Sequence, residues 1–188
     1  LQVLPKISLR YQCTPETFTY VSVAKGYKTG GYNVQMFGDL VQAQAKYDLM
    51  SKFAPDKAEQ PGEVEDVASY KPEHSWNYEA GIRSELIRGR LSAELTLFYM
   101  DIRDIQLTSF AENGSGRLIT NGGKANSYGV ELSLRGRIMD GLTADLNYGF
   151  THATFRDYIF TDKDENSQIV KTDCKDNFIP YTPRHTVS

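Results

Sequence analysis

At 188 residues, with a net charge of −3 and 40% hydrophobic side chains, the chain has room for one sizeable domain, and nothing forces two. Its Lys and Arg residues are scattered rather than clustered, which with a pI near 5.7 excludes a nucleic-acid surface. The mean hydropathy of −0.47 and the lack of a long apolar run exclude a membrane-spanning helix. They leave a transmembrane β-barrel open, because the lumen-facing half of such a barrel is polar.

Leu1 opens no signal peptide, having neither a basic start nor an apolar core of the right kind. Two cysteines, Cys13 and Cys174, make neither a disulfide framework nor a zinc site. His74, His152 and His185 are equally dispersed, so no cofactor, metal centre or Cys/His nucleophile is expected.

In chain order, Lys6–Tyr11 alternates as a strand after Pro5, and Cys13-Thr14-Pro15-Glu16 forms a turn. Thr17–Tyr27 is rich in β-branched and aromatic residues and reads as a second strand, of ambiguous facing because Tyr20 and Val21 are both apolar. Gly26, Gly30 and Gly31 mark turns or close backbone approach. Val34 to His74 is a long polar connection holding a surface helix over Asp39–Phe53, capped by Asp39, and an acidic, mobile stretch from Pro55 to Val67.

The next part repeats one pattern four times. Trp76, Tyr78, Ala80, Ile82 and Leu86 oppose Asn77, Glu79, Arg83 and Glu85; Leu91, Ala93, Leu95, Leu97 and Tyr99 oppose Ser92, Glu94 and Thr96. Tyr128, Val130, Leu132, Leu134 and Ile138 oppose Glu131, Ser133, Arg135 and Arg137; Leu142, Ala144, Leu146, Tyr148 and Phe150 oppose Thr143, Asp145, Asn147 and Thr151. Successive strand side chains point to opposite faces, so each segment is a strand with one apolar and one polar face. A third long connection spans Tyr158–Thr182, and Arg184–Ser188 begins another strand.

Links at Cys13–Glu16, Ile87–Arg90 and Met139–Gly141 are short, whereas Lys28–His74, Gln106–Ala125 and Tyr158–Thr182 are long. An antiparallel up-and-down meander of about seven strands follows, with short turns at one end and long loops at the other, the layout of an outer-membrane barrel. On the apolar face, Trp76, Tyr78, Tyr99, Tyr128, Tyr148 and Phe150 lie toward the long loops, whereas Leu86, Leu91, Ile138 and Leu142 lie at the short turns. Sorting of aromatics by end is what a membrane interface selects.

The motifs then resemble those of the β-barrel of TonB-dependent outer-membrane receptors, close to the siderophore type. Tyr20–Asn33, with Gly26-Tyr27-Lys28-Thr29-Gly30-Gly31-Tyr32-Asn33, resembles one family segment. Tyr70-Lys71-Pro72-Glu73 with Tyr78–Ser84 resembles a second, and Phe98–Gln106 and Asn121–Ala125 with Gly129–Leu132 continue in the family's order. Cys13 and Asn121-Gly122-Gly123 depart slightly from the family pattern.

The resemblance implies a bacterial outer-membrane importer, not an enzyme: a twenty-two-stranded barrel holding an N-terminal plug on which the periplasmic partner TonB pulls. Residues 1–188 would then form a single segment of the barrel wall, without plug or terminal strands, importing a ferric siderophore or similar scarce nutrient only as part of the whole. Open edges are not tolerated against lipid, so an isolated piece is expected to self-associate.

Six residues are candidates for ligand contact: Tyr27, Lys28, Tyr32 and Asn33 where a strand enters the largest loop, with Arg117 and Tyr158. Glu79, Arg83, Glu94, Glu131 and Arg135 are expected to face the lumen, as substrate path or as structural ion pairs. Phe98, Met100 and Ile102 break the polar parity and suit packing against a plug better than the alternative, an apolar wall of a binding chamber. Asp162, Asp164, Asn166 and Asp173 resemble calcium-loop spacing but lack its glycine and terminal Glu, so a solvated acidic loop is the better reading. Cys13 and Cys174 fall at opposite ends of the wall, beyond disulfide reach. The competing fold is a soluble β-sandwich-like carbohydrate-binding module, which would bury the Trp76/Tyr78/Leu95/Leu132/Leu146 face inside itself.

Overall fold

The computed structural model describes residues 2–60, 62, 63, 68–110, 117–163 and 169–188. The described elements run β1 (Lys6–Thr14), β2 (Thr17–Lys28), β3 (Gly31–Tyr32), α1 (Met36–Phe53), a short 3-10 helix (Pro55–Lys57) and β4 (Ser69–Tyr70). There follow β5 (Glu73–Ile87), β6 (Leu91–Arg103), β7 (Gln106–Phe110), β8 (Arg117–Asn121), β9 (Lys124–Met139), β10 (Leu142–Asp157), β11 (Ile159–Lys163), β12 (Ile169–Asp173) and β13 (His185–Val187).

The chain divides into two compact units. One, comprising Leu1–Tyr27, His74–Ile105 and Gly122–Ser188, carries a seven-stranded sheet in the order β1-β2-β5-β6-β9-β10-β13. This is the expected meander: strands that follow one another in the sheet pair antiparallel and are joined by the short turns or the long connections. The sheet is open within this chain, with β1 and β13 at its edges. The other unit, Lys28–Glu73 with Gln106–Asn121, holds α1 and the β3–β4 and β7–β8 ladders.

Facing decides between the two folds expected from the sequence. The apolar side of the sheet is uncovered, with Tyr78 at 45%, Leu97 at 52% and Leu146 at 50% exposure. The polar side is the better covered one, with Ser22, Ile102, Ala125 and Ala153 buried. A sandwich would do the reverse, so the soluble module is ruled out by the sheet it would need to cover. On β2 the facing also resolves: Val21 and Val23 lie opposite Leu9 and Ile7 on the exposed apolar side, and Tyr20 turns to the polar side.

Register sets the levels. Tyr78 lies opposite Tyr99, Tyr99 opposite Tyr128, and Tyr128 opposite His152, one row across four strands. The uppermost apolar ring is Trp76 on β5, Tyr99 and Tyr128 one row lower on β6 and β9, and Phe150 one row lower again on β10. Two rows are about 13 Å along a strand and three strand spacings about 14 Å, so this staircase corresponds to a tilt of roughly 40°. Barrel strands tilt by roughly 35–45° in a membrane, so a level membrane boundary must climb the rows in this way. The outward apolar run from Leu91 to Tyr99 has the length of a tilted membrane-spanning strand, roughly 9–11 residues.

Two expectations need correction. The helix begins at Met36, and its cap position is Gln35, which makes no side-chain capping bond; Asp39 sits inside the first turn. The amides of Met36 and Phe37 already donate to the carbonyls of Asn33 and Val34, so the helix start is satisfied by a backbone turn. The long connections are also more ordered than a reading as loops, since they carry β3–β4, β7–β8 and β11–β12. The acidic Pro55–Val67 stretch begins with the 3-10 helix and lies partly outside the described residues, as do Asp164 and Asn166 of the calcium-like spacing.

A midplane charge separates the two faces. Leu132→Arg is expected to lower the free energy of folding into phospholipid vesicles by about 2–4 kcal/mol, and Ser133→Arg, on the polar face, by under about 1 kcal/mol. Chemical denaturation from vesicles measures both, and equal costs would contradict the assigned facing.

Candidate functional site

On the polar face the charges meet across neighbouring strands. Arg83 Nη1 lies 3.7 Å from Glu94 Oε2, and Arg135 Nε donates to Asp145 Oδ1 at 2.5 Å. Glu79 accepts from Ser22 Oγ at 3.3 Å and from Asn77 Nδ2 at 2.5 Å. Glu131 shares this face, one row from Ser133 and opposite Thr96 and Gly149. All five residues expected on the lumen side therefore share one face. Four of them are held sideways by neighbours on the same face. Solvent screens such exposed pairs, so they shape the surface more than they stabilise it.

Two aromatics on this face lie against glycines of the next strand. The Tyr20 ring covers Gly81 so closely that a Cβ there would sit 2.4 Å from Tyr20 Cε1, and its hydroxyl reaches Thr96 Oγ1 at 2.9 Å. Phe98 covers Gly129, where a Cβ would lie 2.7 Å from the ring. An aromatic laid over a strand glycine restores the packing that the missing side chain forfeits. Phe98 therefore breaks the polar parity to fill the face above Gly129, and Ile102 nearby is 9% exposed.

In the second unit, the motif residues build a hydrogen-bonded base for the loops. Asn33 donates from Nδ2 to the Ile119 carbonyl at 2.9 Å and accepts the Ile119 amide on Oδ1 at 2.8 Å. Asn121 does the same to Lys71, at 3.0 and 2.7 Å. Each asparagine side chain thus imitates a strand neighbour, since its amide offers one donor and one acceptor at peptide-like spacing. Glu73, 8% exposed, accepts from Lys28 Nζ at 3.0 Å and from the Gln106 amide at 2.8 Å. Gln106 Nε2 in turn reaches the carbonyls of Thr29 and Lys71. Gly30 fits here because a Cβ would stand 2.5 Å from the Tyr70 carbonyl.

The six ligand-contact candidates divide between the two units. Tyr27 and Tyr158 belong to the sheet unit, and Lys28, Tyr32, Asn33 and Arg117 to the other. Tyr27 packs at 5.3 Å, tilted, against His74 on the outward face of the sheet. Lys28 is engaged with Glu73, and Asn33 is buried with both amide atoms bonded to Ile119. Tyr32 is 50% exposed beside Phe37, and the Arg117 side chain is exposed while its carbonyl accepts from Gln35. Burial, with the neighbouring Cys174 adding to it, raises the pKa of the Tyr158 phenol, which therefore stays neutral over a wider range. Both cysteines are free, Cys13 beside the first short turn and Cys174 beside Tyr158. Among the described residues no cluster of His, Cys, Asp and Glu could hold a metal ion.

The residues that sequence reasoning missed are Glu73, Gln106 and Asn121 as a connected set. Their signal was present in the motifs, but separation by tens of residues hid that they meet.

A family model described as TonB dependent receptor-like, beta-barrel, matches residues 1–188. The pesticin receptor of Yersinia pestis is 28% identical over 186 residues, covering 98% of this chain and 21% of that protein. In the crystal structure of the ferric yersiniabactin uptake receptor FyuA from Yersinia pestis, the matching region has a TM-score of 0.62 at 25% identity, over 99% of this chain and 22% of that one. The siderophore receptor PiuA from Acinetobacter baumannii shares the fold with a TM-score of 0.61 at 13% identity, over 97% of this chain and 22% of that one. The chain therefore spans about a fifth of the length of the relatives it matches.

The asparagine clasp has a direct readout. Asn33→Ala removes both bonds to Ile119 and is expected to cost about 1–3 kcal/mol locally, with faster hydrogen exchange at the Ile119 amide. Unchanged exchange there would show that the clasp holds nothing. For the aromatic cover, Gly81→Val is expected to destabilise the sheet, and Tyr20→Ala to relieve part of that loss in the double variant; additive effects in a denaturation cycle would contradict direct packing.

Proposed function

This chain belongs to the TonB-dependent receptor β-barrel family and is an outer-membrane receptor component rather than an enzyme, and from that premise we propose that it forms one stretch of the wall of a longer siderophore importer. The observation that carries this reading is the outward apolar face, bounded by the staircase of rings from Trp76 to Phe150. A wall so built leaves its polar face toward a wet lumen, where Glu79, Arg83, Glu94, Glu131 and Arg135 border the path of a plug or a solute.

Import requires energy that the outer membrane lacks, and TonB, pulling on an N-terminal region of the receptor, is the proposed source. The proposed cargo is a ferric siderophore or a similar scarce chelate. Its uptake-receptor relatives support that class. Ligand contact falls first to Tyr32 and Arg117, whose aromatic and cationic groups are exposed in one unit. Stacking and charge suit an anionic chelate with aromatic parts. Lys28 and Asn33 serve the same vestibule by fixing the loop base.

Uptake of radiolabelled iron by cells expressing the full receptor tests this. Uptake is expected to cease without TonB while surface binding persists, and Tyr32→Ala with Arg117→Ala to weaken binding by about five- to thirtyfold, the effect of one to two lost contacts. TonB-independent uptake would contradict energised import, and unaltered binding would remove these two residues from the vestibule.

A further inference from the structure

Above the aromatic staircase, the outward face does not simply end. Asp101 follows Tyr99 on β6, and Arg103 and Lys124 lie opposite each other one row higher. Together with Arg156 and Asp157 these residues surround a cavity of about 760 Å³ whose lower wall is Tyr78 and Tyr99. All of them belong to the sheet unit. Asp101, the most covered of the charged groups, stands 3.4 Å from Arg103 Nε and 3.6 Å from Arg156 Nη1. Its carboxylate spaces two guanidinium groups that remain largely exposed, at 66% and 55%.

Three cations against two carboxylates leave this recess with a net positive charge. Its place is particular: one wall is the ring layer that marks the apolar boundary, and the columns below run through Leu97 and Val130 to Leu95 and Leu132. A ligand filling it must therefore be anionic at one end and apolar at the other, and must approach from within the membrane plane. Guanidinium groups suit a phosphate because their donors match its oxygens in pairs. A free anion would use the charges and leave the tyrosine wall and the columns unused.

We propose that Arg103, Lys124 and Arg156 form a binding site for the phosphate of an outer-leaflet lipid, whose acyl chains lie along the outward columns beneath Tyr78 and Tyr99. Asp101 acts as the positioning residue that holds the two guanidinium groups apart. The site faces away from the lumen, so the lipid would stay bound irrespective of what the receptor imports.

The test uses the full receptor in phosphatidylcholine vesicles doped with bisphosphorylated lipid A, against vesicles doped with its dephosphorylated form. Preferential retention of the phosphorylated lipid by the folded receptor, read by native mass spectrometry after extraction, is expected. Each cation removed should weaken retention by about fivefold, so Arg103→Ala, Lys124→Ala and Arg156→Ala together by on the order of a hundredfold. Lys124→Gln alone leaves both Asp101 contacts in place and should lose about fivefold, which keeps the test valid if the triple variant does not fold. Arg137→Ala, beside the short turn, should change nothing. Equal retention of the dephosphorylated lipid, unchanged retention by Lys124→Gln, or full displacement by inorganic phosphate would each overturn the assignment.

Discussion

Everything in this structure depends on the backbone ladder. In hydrocarbon a peptide group has no water to bond, so each strand must pair its donors and acceptors with the next. Antiparallel pairing with a period of two then leaves no freedom in facing: once Tyr78 lies opposite Tyr99, every second residue on each side is committed to the apolar or to the polar side. The chain uses that commitment consistently from β1 to β10. Within the patterned segments its apolar side chains lie on the exposed side, and the Arg83–Glu94 and Arg135–Asp145 pairs lie on the other. This is the inverse of a soluble domain.

The polar face is then organised by smaller devices. Cross-strand pairs such as Arg83–Glu94 keep charges lateral, and Tyr20 and Phe98 lie over Gly81 and Gly129 so that the wall carries no gap at the glycines. At the short-turn end, Arg88 reaches Glu16 at 2.6 Å and ties two neighbouring hairpins together. In the other unit the same economy appears as side chains imitating backbone. Asn33 and Asn121 supply strand-like bonds where no strand continues, and Glu73 gathers a lysine and an amide around one buried carboxylate. The family-like motifs of this unit are thus concentrated at the base that anchors its loops.

The sheet was legible in the sequence because the membrane writes it there. Leu91 to Tyr99 alternates as long as hydrocarbon faces one side, and the seven strands and their connections follow from that signal. Alternation stops where the apolar face ends, although the ladder does not. On β6, Asp101 and Arg103 continue on the outward side with no apolar contrast to reveal it, so strand ends extend beyond the patterned segments. The β7–β8 and β11–β12 hairpins were hidden for a related reason, since short ladders outside the membrane need no apolar face. Asn33 shows the limit for sites: an amide placed in a loop motif suits a ligand or a backbone equally, and only the position of Ile119 decided between them. Asp39 does not cap because the helix begins before it, at Met36, which leaves Asp39 inside the first turn.

The central claim is that the Leu91–Tyr99 side of the sheet meets lipid. Spin labels placed singly at positions 93 to 99 of β6 in the membrane-embedded receptor test it most directly, by comparing relaxation from oxygen with that from a water-soluble nickel chelate. The account predicts a period of two, with oxygen contact strongest at positions 95 and 97 and nickel contact at 94 and 96. Uniform accessibility, or an alternation of the opposite phase, would contradict it.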